Sequence, residues 1–277
     1  MEFKRILVPT DFTAIAETAI EHAVHLCKVT GGEVQLLHII KDGSEQEAAE
    51  KRIAEEKEAF SKKFPGVSVS TVIRNGNIFE DIGDVAEEVH ADVIFMGTHG
   101  AKGMQKLTGS YAMKVIKSTM TPFVVTQDKG PKEHGFDNIV VPIDLSRQTN
   151  QKLGMTAKLA KHYNSKVHLL VPHETDDFLK RDLKLNLKYA DKFFQSKGVD
   201  HVAHITEGDS GAFAKHIVTY SDAIGADMIS IMNISERGIL KFIGASFEQE
   251  LITNKLGIPV MILNPKSVTR DVGTMSS

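Results

Sequence analysis

Two stretches of the chain read as one motif: Arg5-Ile6-Leu7-Val8-Pro9-Thr10-Asp11-Phe12-Thr13 and, 133 residues on, Asn138-Ile139-Val140-Val141-Pro142-Ile143-Asp144-Leu145-Ser146. Each is a short run of Val, Ile and Leu that stops at a proline and is followed by an acid and then a hydroxyl. Apolar runs of this length and type form strands buried on both faces, as parallel sheets require. The recurrence continues outward. Leu36-Leu37-His38 returns as Leu169-Leu170-Val171 at the same offset, and Ala91-Asp92-Val93-Ile94 as Ala226-Asp227-Met228-Ile229 at 135. Pro122-Phe123-Val124-Val125 returns as Pro259-Val260-Met261-Ile262 at 137. So small a drift marks a duplicated domain, and the period is far too long for a solenoid repeat.

Within the first copy, apolar runs near 4–9, 34–40, 67–73, 92–97 and 122–126 alternate with amphipathic stretches. Ala16, Ala19, Ile20, Ala23, Val24 and Cys27 keep helical i, i+3, i+4 spacing, as do Ile78, Ile82, Val85, Ala86 and Val89. A third helix over 45–64 carries Glu and Lys on its outer face, and the second copy matches it with Leu179, Leu183, Leu187, Ala190 and Phe194. Five strands alternating with four helices imply right-handed crossovers. The expected fold is α/β: two doubly wound, five-stranded parallel-sheet domains of Rossmann-like type. The expected boundaries are 1–127 and 137–265, with a polar linker over 128–136 and a polar tail over 266–277. An edge strand of Val and Ile should not stay open. Strands 122–126 and 258–263 are therefore expected to meet within the chain, making it a pseudo-dimer.

Composition narrows the function. The 277 residues are 42% hydrophobic and 25% charged, ample for a packed core. Lys+Arg at 33 against Asp+Glu at 36 lacks the basic surplus of a nucleic-acid binder. The single cysteine cannot close an internal disulfide. No run approaches the ~20 apolar residues of a membrane helix, and Met1–Ile6 does not read as a signal peptide. These features predict a cytoplasmic protein with no membrane or nucleic-acid partner. His22 and His25 share a helix but lack a zinc pattern, and His201 and His204 point to opposite faces of a strand. No metal site is expected. Cys27 falls on an apolar stripe, as a core residue would.

In doubly wound sheets, ligands bind outside the carboxyl ends of the strands where strand order reverses. That points to the residues after strands 1 and 4. Asp11 is placed to accept from a ligand amine or hydroxyl; alternatively, Asp11 or Thr13 caps the next helix. After strand 4 comes Met96-Gly97-Thr98-His99-Gly100-Ala101-Lys102-Gly103, then Gly109-Ser110 opening a helix over 111–118. Glycines admit close backbone approach, and a helix start offers free N–H donors to an anion. Turn formation alone is the other reading of such a loop.

These residues resemble the universal stress proteins. The opening strand of that family ends in Val-Pro-x-Asp, matched by Val8-Pro9-Thr10-Asp11. Its ATP-binding members carry Gly-x2-Gly-x9-Gly-Ser/Thr, matched in type and order by Gly97, Gly100, Gly109 and Ser110. Eight residues, not nine, separate Gly100 from Gly109, which moves the Gly109-Ser110 donors relative to the first two glycines. The resemblance covers both copies and implies an adenine nucleotide alpha hydrolase-like fold. It also implies that Asp11 contacts adenine and that Pro9 and Ile39 line the base pocket. Met96, Gly97, His99, Gly100, Gly109 and Ser110 would surround ribose and phosphates. As strand ends, Ile39 and Met96 are equally readable as core, and His99 as a solvent-facing residue. At an offset of 135, Gly97 and Gly100 become Met232 and Ser235, and Ser110 becomes Ala245, although Asp144 is retained. The second copy reads as degenerate.

The expected function is that of a stress-response regulatory protein. It would bind ATP, with or without Mg2+, in the first domain and hydrolyse it slowly if at all. The competing reading is a nucleotide-free interaction scaffold of the same fold. An ATP-consuming enzyme is the weakest, because P-loop, nucleophile-elbow and pyrophosphatase patterns are missing. Homodimerisation of whole tandem chains is compatible with this arrangement, and the sequence names no protein partner.

Overall fold

The computed structural model describes residues 3–98, 109–146, 150–208, 210–234 and 247–265. The first domain runs β1 (Arg5–Pro9), α1 (Ala14–Thr30), β2 (Glu33–Ile40), α2 (Gln46–Lys63), β3 (Ser68–Asn75), α3 (Asp81–Glu88), β4 (Val93–Gly97), α4 (Gly109–Ile116) and β5 (Phe123–Thr126). The second repeats it: β6 (Asn138–Pro142), α5 (Gln151–Tyr163), β7 (Lys166–Val171), α6 (Asp177–Lys197), β8 (His201–Ile205), α7 (Phe213–Ala223), β9 (Met228–Met232), α8 (Phe247–Ile252) and β10 (Val260–Leu263).

All ten strands join one sheet in the order β3-β2-β1-β4-β5-β10-β9-β6-β7-β8. Every pairing is parallel except β5 with β10, where Val124 lies opposite Met261. The two final strands thus cover each other's edges, as the Val- and Ile-rich runs demand. Alternation along the strands divides the core. Ile6, Val8 and Val124 pack with α1 and α2, and Leu7, Phe123 and Val125 with α3 and α4. Helices α5 and α6, then α7 and α8, extend the same two layers over the second domain.

Local chemistry sets the helix ends. The Thr13 hydroxyl accepts from Ala16 N at 3.3 Å, and Gly31 closes α1 in the left-handed region at φ +70°. Asp176 and Gly198 do the same for α6. Cys27 is buried in the core, and burial pushes its thiol up to about 12. Native protein is therefore expected to resist iodoacetamide at pH 8 and to alkylate in urea, as mass spectrometry would read out.

At the seam, Asn264 Nδ2 donates to Thr119 O at 2.6 Å, and Gln127 Nε2 donates to Asn254 O at 2.9 Å. The two helical histidines hold the connecting segment: His22 Nε2 meets Lys129 O at 2.9 Å and His25 Nε2 meets Glu133 O at 3.0 Å. Among the described residues no group of three or more His, Cys, Asp or Glu side chains could hold a metal. Nor is any helix there long and apolar enough to cross a membrane.

Candidate functional site

Strand order reverses between β1 and β4: Ile6 pairs with Val34 of β2 on one side and Val93 of β4 on the other. The helices that follow these two strands, α1 and α4, pack on opposite faces, which opens a crevice at the strands' carboxyl ends. A cleft of about 90 Å³ lies there. Pro9, Asp11, Ile39, Met96 and Gly97 all line it, joined by Ile82 of α3 and by Ile78 just before it. Five expected residues from three strand ends are therefore brought together. Gly109 and Ser110 open α4 but are not among the described residues lining the cleft. His99 and Gly100 lie outside the described residues.

The turn after β1 is braced from several directions. Asp11 Oδ1 accepts from Thr13 Oγ1 at 2.6 Å and Thr13 N at 3.2 Å. The capping reading holds: Thr13 caps α1, and Asp11 orients Thr13 while staying exposed. Phe12 takes a left-handed φ of +62°, which a bulky residue adopts only when held. The holding groups are His38, with its ring centroid 4.4 Å away, and the Arg52 guanidinium, 4.2 Å from the Phe12 ring. His38 Nδ1 also meets Thr10 O at 2.8 Å, so the carbonyl accepts and that nitrogen carries the proton.

Thr10 links the turn to α2. Its hydroxyl donates to Glu56 Oε1 at 3.0 Å and accepts from Phe12 N at 3.0 Å. Burial pushes the Glu56 carboxyl up to about 7; the Thr10 hydroxyl opposes this, Glu17 adds to it, Arg52 opposes it and Asp11 adds to it. Between the ordinary 4.5 and about 7, the folded chain holds a proton that the unfolded chain releases. Glu56 therefore adds stability as pH falls through that window and none is gained from it above. The stability difference between wild type and Glu56→Gln, from urea melts at pH 4.5 to 8, is expected to shift towards wild type as pH falls. A difference that stays flat would exclude this assignment.

The glycines have packing reasons of their own. A Cβ on Gly97 would stand 2.7 Å from Ile15 O, so α1 crosses β4 too closely for any side chain. A Cβ on Gly109 would stand 2.8 Å from both Gln249 Cγ and Thr253 Cγ2, at the contact of α4 with the second domain. In the second copy Met232 occupies the position of Gly97 and is buried. Its helix α5 is described from Gln151. Beneath the matching turn, Lys152 is fully buried and donates to Pro142 O at 2.6 Å, and Asn186 Nδ2 donates to Asp144 O at 2.8 Å. The first-domain counterparts of Lys152 and Asn186 are Ala19 and Ile53.

Thr10, His38, Arg52 and Glu56 went unnoticed in the sequence. Only Thr10 carried a signal, as the residue between Pro9 and Asp11; the others are brought in from β2 and α2.

Comparison with known proteins gives one consistent answer. The model of the universal stress protein family matches residues 2–127 and again 135–264. A universal stress protein of Methanocaldococcus jannaschii, MJ0531, is 31% identical over 146 residues, covering 47% of this chain and 85% of the relative. A second from that organism, MJ0577, is 30% identical over 156 residues, covering 46% of this chain and 96% of the relative. Among solved structures, a universal stress protein from Archaeoglobus fulgidus superposes with a TM-score of 0.77 at 19% identity, covering 95% of this chain and 99% of that one.

Proposed function

This chain belongs to the universal stress protein family, with the domain written twice, and from that premise we propose that its first domain binds an adenine nucleotide, ATP, as a regulatory ligand in the stress response. The observation that carries the reading is the convergence of Pro9, Asp11, Ile39, Met96 and Gly97 on one cleft at the switch point. The residues fit a purine. Ile39, Ile78 and Met96 offer apolar walls. Asp11 uses Oδ1 on Thr13, and Oδ2 makes no hydrogen bond among the described residues, so it suits an exocyclic amine. Ribose and phosphates would extend towards Gly109 and Ser110 at the start of α4, together with His99 and Gly100.

The second domain is read as lacking this activity. Met232 and the buried Lys152 put side chains where the first domain has Gly97 and Ala19. The role is read as regulatory: among the described residues lining the cleft Asp11 is the one carboxylate, so any hydrolysis is expected to be slow. The working compartment is the cytoplasm. Domain limits of 1–127 and 137–265, joined over 128–136, accompany this reading.

One observation favours the nucleotide-free scaffold instead. Gly97 is tight against the backbone of α1 and Gly109 against side chains of the second domain, so their presence does not itself demand a phosphate.

Thermal melts with Mg-ATP separate the two. Nucleotide at 100 times Kd should add about 2.7 kcal/mol of stability. Asp11→Ala should weaken binding by roughly tenfold or more, the cost of a hydrogen bond to a charged group. Absence of any shift at millimolar ATP would leave the scaffold reading in place.

A further inference from the structure

A second cavity lies at the seam between the domains and shares no lining residue with the cleft. Its volume is about 200 Å³, against about 90 Å³ for the cleft. His22 of α1, Lys132 and Phe136 of the connecting segment, Ser221 of α7 and Asp227 before β9 all line it. Most of the remaining wall is apolar, including Leu256, Ile258 and Pro259.

Two of the residues lining it each hold a buried polar atom with no partner among the described residues: His22 Nδ1 and Ser221 Oγ. His22 is only 3% exposed and Ser221 is fully buried. Because His22 Nε2 faces the Lys129 carbonyl, that nitrogen carries the proton and Nδ1 presents a bare lone pair. Burial holds the ring down to about 4, against the Lys129 carbonyl and Glu21 and with His25, so it is neutral at physiological pH. Asp227 is already engaged. Its Oδ2 accepts from Asn138 N at 2.8 Å, and its Oδ1 forms an ion pair with Lys132 without hydrogen-bond alignment.

Buried polar groups in folded proteins are nearly always hydrogen-bonded, and leaving one unpaired costs about 1–3 kcal/mol. Two in residues lining one cavity therefore ask for an occupant. The volume far exceeds the ~10–15 Å³ a single water needs. The wall carries two lysines, Lys129 and Lys132, and two acids, Asp222 and Asp227, so its charges balance, which disfavours an ion. His22 Nδ1 asks for a donor, Ser221 Oγ exchanges either way, and the remaining wall asks for an apolar body. We propose that the seam cavity is a second ligand site, for a small neutral molecule with an apolar body and a hydroxyl or amine donor. Its walls come from both domains and the segment joining them, so occupancy would bind the two halves together.

Phenol tests this, with toluene as the same body lacking the donor. Nitrogen NMR of the His22 ring should show saturable movement of Nδ1 with phenol, which should bind about tenfold tighter than toluene, the worth of one hydrogen bond. Ser221→Ala should weaken phenol by a similar factor while preserving the amide spectrum. Independently of any variant, crystals soaked in 4-bromophenol should give an anomalous bromine peak between His22 and Ser221. The proposal is overturned by equal binding of phenol and toluene, by a His22 signal unmoved by phenol, or by a bromine peak found only elsewhere.

Discussion

Gly97→Val is expected to lower the melting temperature by roughly 6–12 °C. A Cβ at this position stands 2.7 Å from Ile15 O, 2.8 Å from Ile15 Cγ2 and 2.9 Å from Ile15 C, and two of those three atoms are backbone. Ile15 lies in the first turn of α1, fixed by the Thr13 cap and by Ala19, Ala23 and Val24 in the core. The helix cannot retreat without opening that core. Forcing extra atoms into such a contact costs typically 1–3 kcal/mol, and a branched side chain against backbone belongs at about 3. For a chain of this size each kcal/mol is worth about 2–4 °C. Gly154→Ala is the control. No atom lies within 4 Å of its Cβ position on α5, so that change should be neutral or stabilising by up to about 1 kcal/mol. If Gly97→Val melts within a degree of wild type, α1 does not cross β4 this closely. The same crossing tells how not to test the nucleotide cleft: variants at Gly97 or Gly109 disturb α1 or the α4–α8 contact first. Asp11 and Ile39 are the cleaner positions.

The second large effect belongs to Lys152. Burial lowers its ammonium from 10.5 to about 8, with Asp144 opposing the shift. A lysine with a depressed folded value is charged in the unfolded chain while already neutral in the fold between about 8 and 10.5. Its penalty is therefore fully present below about 8 and fades as pH rises towards 10.5. A displacement of this size corresponds to about 3 kcal/mol. Cys27 and Tyr163, both pushed up by burial, titrate with the opposite sign at high pH, so wild type alone does not isolate the lysine. The difference from Lys152→Met does. The advantage of the methionine variant over wild type is expected to shrink by about 3 kcal/mol between pH 8 and pH 10.5 in urea melts. A pH-independent difference would mean that the ammonium is not held neutral by burial.

Much of this architecture was legible because it rests on local pattern. The runs at Ile6–Val8 and Ile139–Val141, and the proline that ends each, sufficed to place β1 and β6 and hence the duplication. Strand alternation and the edge-strand argument then predicted the β5–β10 seam. The fold pointed to the residues after β1 and β4, and the family resemblance added Pro9, Ile39 and Met96, all of which line the cleft. What escaped was long-range. Thr10 and Glu56 are 46 residues apart, and no spacing rule joins them. Gly109 reads as an anion-binding helix start, but its neighbour is α8, far along the chain. His22 and His25 read only as a helical pair without a zinc pattern; their actual partners are backbone carbonyls of the connecting segment, which carry no side-chain signature.

Calorimetric titration of the whole chain with ATP tests the central claim most directly. One nucleotide bound per chain, with the heat abolished when Ile39→Trp fills the first cleft, is the predicted result. Two nucleotides per chain, or none at millimolar concentration, would contradict it.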